Sequence, residues 1–217
     1  MGVAERRERE REQRRKDIID AAERVFFGKG PLEATMDDVA AEAELSKGTL
    51  YLYFAGKDEL YLAIGTRCLA YMWEQLSSLA DDGRSGFAAL ERFCEVHRSF
   101  VKEHPDHVKI MLAWQASGFH ADPDMPGFPE YQENTLRLFQ LIVAVIRRGQ
   151  ADGSIREGLD PAQCAFQIWG GHMGVTMLYF NREEIGRRLP FELDLSPLLP
   201  SFSELLLRGL RADETRP

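Results

Sequence analysis

Apolar residues recur along this chain at intervals of three and four and almost nowhere alternate, which predicts helices throughout. Ile18, Ala22, Val25 and Phe26 mark a first apolar face, which ends around Gly28-Lys29-Gly30-Pro31. Thr35 opens a second helix. Its hydroxyl can accept from the free backbone donors of the first turn, and Asp38, three residues on, answers as a variant capping box. Val39 and Ala40 face inward, the helix ends near Ala43, and Glu44-Leu45 forms a turn. Ser46 then caps a short third helix expected over 47–54, broken by Ala55-Gly56.

From Lys57 a long helix runs to about Ala80 with Leu60, Ile64, Cys68, Tyr71/Met72 and Leu79 inward, and Asp81-Asp82-Gly83 closes it. Phe87, Leu90, Phe93/Cys94, His97 and Phe100/Val101 carry the next, as far as His104-Pro105. A shorter one holds Val108, Met111, Leu112 and Trp114, and the proline-rich stretch 118–129 reads as a loop. Tyr131, Leu138, Ile142, Val145 and Ile146 make another long helix, closed by residues 149–158. Asp160-Pro161 is a start signal, an N-cap followed by proline at the first helical position. The face after it reads Ala165/Phe166, Trp169, His172/Met173, Thr176/Met177 and Phe180, and Leu198 to Leu210 forms the last helix. The expected fold is therefore all-α with about nine helices: an N-terminal three-helix head and a larger C-terminal helical body.

Residues 35–54 hold what a helix-turn-helix needs: a short packing helix, a tight turn, and a second helix whose outward side chains reach the major groove. Leu50 and Phe54, four apart, turn one face of that second helix inward. The opposite face offers Lys47 for phosphate, Thr49 for base edges, and the phenols of Tyr51 and Tyr53. Gly48 lets the backbone approach DNA closely, and Lys57 is placed to clamp a flanking phosphate.

The segments Ala34-Thr35-Met36-Asp37-Asp38-Val39-Ala40, Leu45-Ser46-Lys47-Gly48-Thr49-Leu50-Tyr51-Leu52-Tyr53-Phe54 and Lys57-Asp58-Glu59-Leu60 resemble the DNA-binding motif of TetR-family repressors. The resemblance spans about residues 12–72, the expected DNA-binding domain, and leaves 73–217 as the ligand-binding and dimerisation domain. It implies that Thr35, Ser46, Lys47, Gly48, Thr49, Tyr51, Leu52, Tyr53 and Lys57 face DNA. Leu52 departs from the polar or larger aromatic residue usual there; it either meets a thymine methyl or makes no base contact. The resemblance also implies a homodimer joined through its last two helices, and Gly170, Gly171 and Gly174 would let helices approach closely. The alternative for these glycines is relief of crowding inside one subunit.

The net charge of −8 argues against a nucleic-acid partner until its distribution is counted. Residues 1–57 hold 11 Lys and Arg against 12 Asp and Glu, and the remainder 16 against 23, so the head is near neutral and the body acidic. The Arg/Glu alternation of residues 6–16 reads either as a solvated helix extension held by i,i+4 pairs or as an arm reaching a groove. A charged N-terminus and the lack of any apolar run of about 18 residues predict no signal peptide and no membrane partner. Cys68, Cys94 and Cys164, odd in number and far apart, predict free thiols in a reducing cytoplasm.

Large apolar side chains in the body suggest a sensing pocket for a small hydrophobic or aromatic effector, with Trp73, Phe93, His97, Met111 and Trp114 as candidate lining from the middle helices. Phe166, Trp169, His172, Met173 and Met177 are the further candidates. Helically spaced residues of these types more often fill a core. A metal sensor would draw on His97, His104, His107, His120, His172 and Cys94, but only His104 and His107 are close in sequence and no third ligand accompanies them. No cofactor is expected. There is no phosphate-binding glycine loop, nucleophile elbow or zinc-protease motif, so no catalytic residue is assigned and the chain is not expected to be an enzyme. The competing readings are a helical enzyme and a helical adaptor without DNA contact, and the adaptor leaves the 47–53 surface unexplained.

Overall fold

In the computed structural model, which describes residues 2–116 and 122–212, ten α-helices and one short 3-10 turn follow one another. They are α1 (Val3–Lys29), α2 (Met36–Glu42), α3 (Lys47–Tyr51), α4 (Lys57–Leu76), α5 (Gly86–Glu103), α6 (Pro105–Ala116), α7 (Phe128–Ala151), α8 (Pro161–Phe180), α9 (Arg182–Arg188) and α10 (Leu198–Leu210). The tenth helix, absent from the sequence reading, is α9: a seven-residue helix with no buried residue, so no apolar period announces it. Two boundaries also moved inward. The third helix ends at Tyr51 rather than Phe54, and α4 tightens into 3-10 geometry over Ser77–Ala80. Residues 118–121 of the expected loop lie outside the described residues.

The chain divides into two compact units. One comprises Met1–Cys68 with Asp106–Gln132, the other Leu69–Pro105 with Glu133–Pro217. In the first, α1 buries Ile18, Ile19, Ala21, Ala22, Val25 and Phe26, and α2 packs on it through Val39 and Ala40. Thr35 caps α2 as its sequence predicts: its hydroxyl accepts from the Asp38 amide at 3.2 Å, and the Asp38 carboxylate accepts from the Thr35 amide at 3.0 Å. Glu44 takes the left-handed conformation at the turn before α3, with φ 55°. Ser46 caps α3 by accepting from the Thr49 amide at 3.1 Å.

In the second unit, α5, α7, α8 and α10 share a core that includes Leu90, Val96, Leu141, Ile146, Ile155 and Ile168. The first turn of α5 is held by three polar groups: Ser85 accepts from the Ala88 amide, Asp152 from the Gly86 amide at 2.8 Å and Ser154 from the Phe87 amide at 3.1 Å. The turn after α7 is tied to the end of α10 by Arg156 N–H to Leu210 O and Ala212 N–H to Ser154 O. Asp160 caps α8, accepting from the Gln163 amide at 2.7 Å, with Pro161 in the first turn.

Here α5 crosses α7 backbone to backbone. A Cβ on Gly86 would overlap the main chain of Gly149, and one on Gly149 would overlap Ile155. Gly86→Ala should therefore cost at least the 1–3 kcal/mol or so of an overpacked core, read as a lower urea midpoint at unchanged m-value. An unchanged midpoint would show that the crossing has slack.

Candidate functional site

The reading segment is fixed from beneath. Leu50 and Phe54 are completely buried, the Arg15 guanidinium lies 4.6 Å from the Phe54 ring centroid, and the Glu59 carboxylate accepts from the Ala55 amide at 2.9 Å. Anchored so, α3 turns Lys47, Gly48, Tyr51 and Leu52 to solvent, with Leu52 76% exposed, while Thr49 and Tyr53 are half-buried. Nothing lies within 4 Å of where a Gly48 Cβ would stand, so the glycine leaves the backbone itself open to approach. The Thr49 hydroxyl shares a 2.8 Å hydrogen bond with the Ser46 hydroxyl, which orients both.

The cations are not idle. The Lys47 ammonium pairs with the Asp37 carboxylate at 2.7 Å across the turn, an exposed contact that raises the Lys47 pKa. Lys57 donates to the carbonyls of Leu32 at 3.1 Å and Ala34 at 3.0 Å, which spends two of its three protons on the loop before α2. Lys29 binds Asp38 at 2.5 Å, and that hydrogen bond, with those from the Thr35 hydroxyl and amide, holds the Asp38 carboxyl at about 2. The sequence reading missed Asp37, whose charge reads as an ordinary first-turn helix acid. The arm is helical from Val3 onward, continuous with α1 and carrying an Arg6–Glu10 pair.

The same unit holds a second ionic group. Arg67 on α4 binds Asp20 at 2.5 Å and Glu23 at 3.2 Å on α1, and His107 on α6 approaches Glu23 at 3.5 Å. Burial works to raise the Glu23 carboxyl, but the His107 hydrogen bond and the Arg67 charge outweigh it and hold the group below its ordinary value.

The ten body candidates do not gather in one place. Met111 and Trp114 belong to the head's unit, where Trp114 packs edge-on against Tyr131 at 5.4 Å. Phe166 (62% exposed), Trp169 (54%) and Met177 stand on the outer face of α8. Apolar residues occupy both faces of this helix, and its inner face is taken by Cys164, Ala165, Ile168, His172, Val175 and Thr176. Trp73 and Phe93 pack on the second unit's core, and Met173 is half-buried. His97 and His172 do meet, with ring centroids 4.4 Å apart, and His172 also touches Phe93 and Phe202. Of the three glycines, Gly171 sits beneath the Phe202 ring inside the subunit, whereas Gly170 and Gly174 face open space. His104 stacks on Tyr71 in the second unit while His107 lies in the first, and His120 is outside the described residues. Among the described residues no three His, Cys, Asp or Glu gather as a metal site requires, and no helix is long and apolar enough to cross a membrane.

A short packing helix, a left-handed turn at Glu44 and a second helix with polar residues turned outward over a bare backbone form a helix-turn-helix, the arrangement by which DNA-binding proteins enter the major groove. The profile of the bacterial regulatory proteins of the tetR family matches residues 18–64. The transcriptional activator FasR of Mycolicibacterium smegmatis is 36% identical over 87 residues, covering 38% of this chain and 40% of FasR. The transcriptional regulator BetI of Brucella anthropi is 37% identical over 131 residues, 59% of this chain and 60% of BetI. The chain thus spans about two-fifths to three-fifths of the length of these relatives. FadR of Bacillus subtilis, solved in complex with stearoyl-CoA, superposes over 89% of this chain and 98% of its own with a TM-score of 0.68 at 20% identity, which establishes a shared fold. Residues 18–64 thus match the DNA-binding domain of the tetR-family bacterial regulatory proteins, and the chain as a whole shares the fold of FadR.

The meeting of the two histidines has a measurable consequence. Burial, then the neighbouring His172 and Arg98, pushes His97 down to about 3, and burial pushes His172 below its ordinary 6.5. Both are therefore neutral in the fold and readily protonated in the unfolded chain. The His97 contribution is intact above pH 6.5 and is lost as pH falls toward 3, by up to about 1.4 kcal/mol per pH unit, and His172 adds to the loss below 6.5. Urea titrations between pH 7 and 5 should show this loss, and His97→Phe should reduce the slope. A pH-independent midpoint would contradict the buried neutral pair.

Proposed function

We propose that this regulator is a cytoplasmic homodimeric repressor that binds a quasi-palindromic operator in duplex DNA and leaves it when a small, largely apolar or aromatic effector enters the body. The exposed Lys47, Tyr51 and Leu52, with the half-buried Thr49 between them, over the open Gly48 backbone carry the reading. Residues 12–72 would serve as the DNA-binding domain and 73–217 as the ligand-binding and dimerisation domain. One short helix per chain covers too few base pairs for useful specificity, so two must act about one helical turn apart, roughly 34–36 Å. The outer face of α8, with Phe166, Trp169 and Met177 exposed around the bare Gly170 and Gly174, together with Leu205 on α10, supports a helix-on-helix dimer contact.

Effector release requires the ligand to favour one spacing of the two heads. Support comes from α4, a single helix whose residues 57–68 belong to the head's unit and whose remainder belongs to the other. Arg67 near its middle is bound to α1 through Asp20 and Glu23. A ligand pressing near Trp73 or Leu76 would move the helix that carries this anchor. A hundred-fold loss of operator affinity needs about 2.7 kcal/mol of coupling, within the usual range. FadR, of the same fold, is known with stearoyl-CoA bound, which supports a largely apolar effector here. An enzyme or adaptor reading has no comparable observation behind it.

Footprinting should show two half-sites protected together; one half-site protected by a monomer would defeat the reading. Thr49→Ala and Tyr53→Ala should relax sequence preference by about 1–3 kcal/mol each. Lys47→Ala should weaken binding to all sequences and reduce the salt slope by about one. Asp37→Asn should act oppositely, tightening specific and random DNA alike, because it frees the Lys47 ammonium and removes a carboxylate from the phosphate-facing surface. Equal losses on specific and random DNA for Thr49→Ala, Tyr53→Ala and Lys47→Ala would overturn these roles.

A further inference from the structure

His97 and His172 form part of a cluster of buried polar atoms with nothing to bind. His172 is 3% exposed and Thr176, one turn further along α8, is 1% exposed. The His172 Nε2, the Thr176 Oγ1 and the His97 Nδ1 all lack a hydrogen-bond partner. Phe93 on α5 and Phe202 on α10 pack edge-on against the His172 ring at 5.5 and 5.2 Å, and Arg98 is the charged neighbour of both histidines. Buried polar groups are rarely left unpaired, and each such group calls for an explanation.

The protonation of His172 can be assigned. Its Nδ1 lies 2.8 Å from the Ile168 carbonyl, which can only accept, so Nδ1 carries the proton. Burial keeps the ring neutral, and a neutral imidazole with a proton on Nδ1 presents a bare lone pair at Nε2. That atom can be satisfied only by a donor. A carboxylate has no proton to offer that atom and would set its own lone pairs against the Nε2 lone pair. A hydroxyl fits: it donates to His172 Nε2 while its oxygen still accepts, and Thr176 Oγ1 can act in either direction.

We propose that the body binds an apolar compound through a single hydroxyl group, alcoholic or phenolic, which donates its hydrogen bond to His172 Nε2 with Thr176 as the second polar contact. The proposal rests on the effector reading above and adds to it the chemical group that the effector must carry. It also gives Thr176 a role that its place on an apolar helix face hides in the sequence.

The test uses the full chain and four probes of similar shape: 4-pentylphenol, 4-pentylanisole, pentylbenzene and 4-pentylbenzoate. Binding is followed by calorimetry and by the fluorescence of the three tryptophans, Trp73, Trp114 and Trp169, and release by gel shift. The phenol should bind at least about tenfold tighter than its methyl ether, as one hydrogen bond to a buried acceptor implies. His172→Phe should abolish that preference, and Thr176→Val should reduce it. Ring 15N spectra of the wild-type chain keep the idea testable should the variants fail to fold: the unprotonated Nε2 resonance of His172 should shift with the phenol and not with the ether. Equal affinity for phenol and ether, a preference for the benzoate, or an unmoved Nε2 resonance would each overturn the proposal. If the ether or pentylbenzene binds as well as the phenol and still releases DNA, the hydroxyl requirement falls and the apolar-effector reading stands. If the phenol binds at His172 but DNA affinity does not change, the site stands and the release mechanism falls.

Discussion

The DNA-reading surface depends on the burial of two side chains, Leu50 and Phe54, beneath a helix of five residues. A helix that short has no stability of its own, since isolated helices below about 12–15 residues are marginal in water. Its position is therefore set from outside, by what those two residues press against and by caps at either end. Ser46 closes the leading edge and Glu59 binds the Ala55 amide behind it. Lys57 ties the start of α4 to the carbonyls of Leu32 and Ala34. The loop before α2, α3 and the start of α4 are thereby held as one piece. Two of the three Lys57 ammonium protons are spent on this tie.

The free head also balances its own charges. Lys47 against Asp37, Lys29 against Asp38, Arg24 against Glu42 and Arg67 against Asp20 are paired within the unit. Exposed pairs of this kind contribute little to stability, about 0–1 kcal/mol each. Their consequence would lie in recognition, because a phosphate competing for Lys47 would have to displace the Asp37 carboxylate already there. A near-neutral head weakens binding that reads only the backbone and leaves more of the discrimination to base contacts. This resolves the apparent conflict between a net charge of −8 and a nucleic-acid ligand.

Much of the head was legible in the sequence because its signals are local. Thr35 with Asp38, Ser46 three residues before Thr49, and Leu50 with Phe54 are all pairs within four positions, and each has the geometry its spacing implies. The body was legible as helices but not as a site. Spacing identifies an apolar row and cannot say which of two rows is buried when a helix carries both. On α8 the aromatic residues Phe166 and Trp169 turn outward, while the smaller Ala165, Ile168 and Thr176 turn inward. Met111 and Trp114, neighbours of the other candidates only by residue type, group with the head because the chain returns there after α5. The α9 helix was missed because a short helix with no buried residue has no apolar period to read.

The two-faced character of α8 ties these features together. Its inner face carries His172 and Thr176, with polar atoms unpaired, and its outer face carries exposed aromatic surface around two bare glycines. Each is a deficit for the isolated chain: an unpaired buried donor or acceptor costs about 1–3 kcal/mol, and exposed apolar area forgoes roughly 25 cal/mol per Å². Leu or Val at these positions would serve the isolated fold better, so the two deficits are what a partner on each side would relieve. A ligand on one face and a second subunit on the other would then be linked through the same twenty residues. A ligand that moved α8 would then act on the face a second subunit would cover, alongside any motion passed to the head through α4.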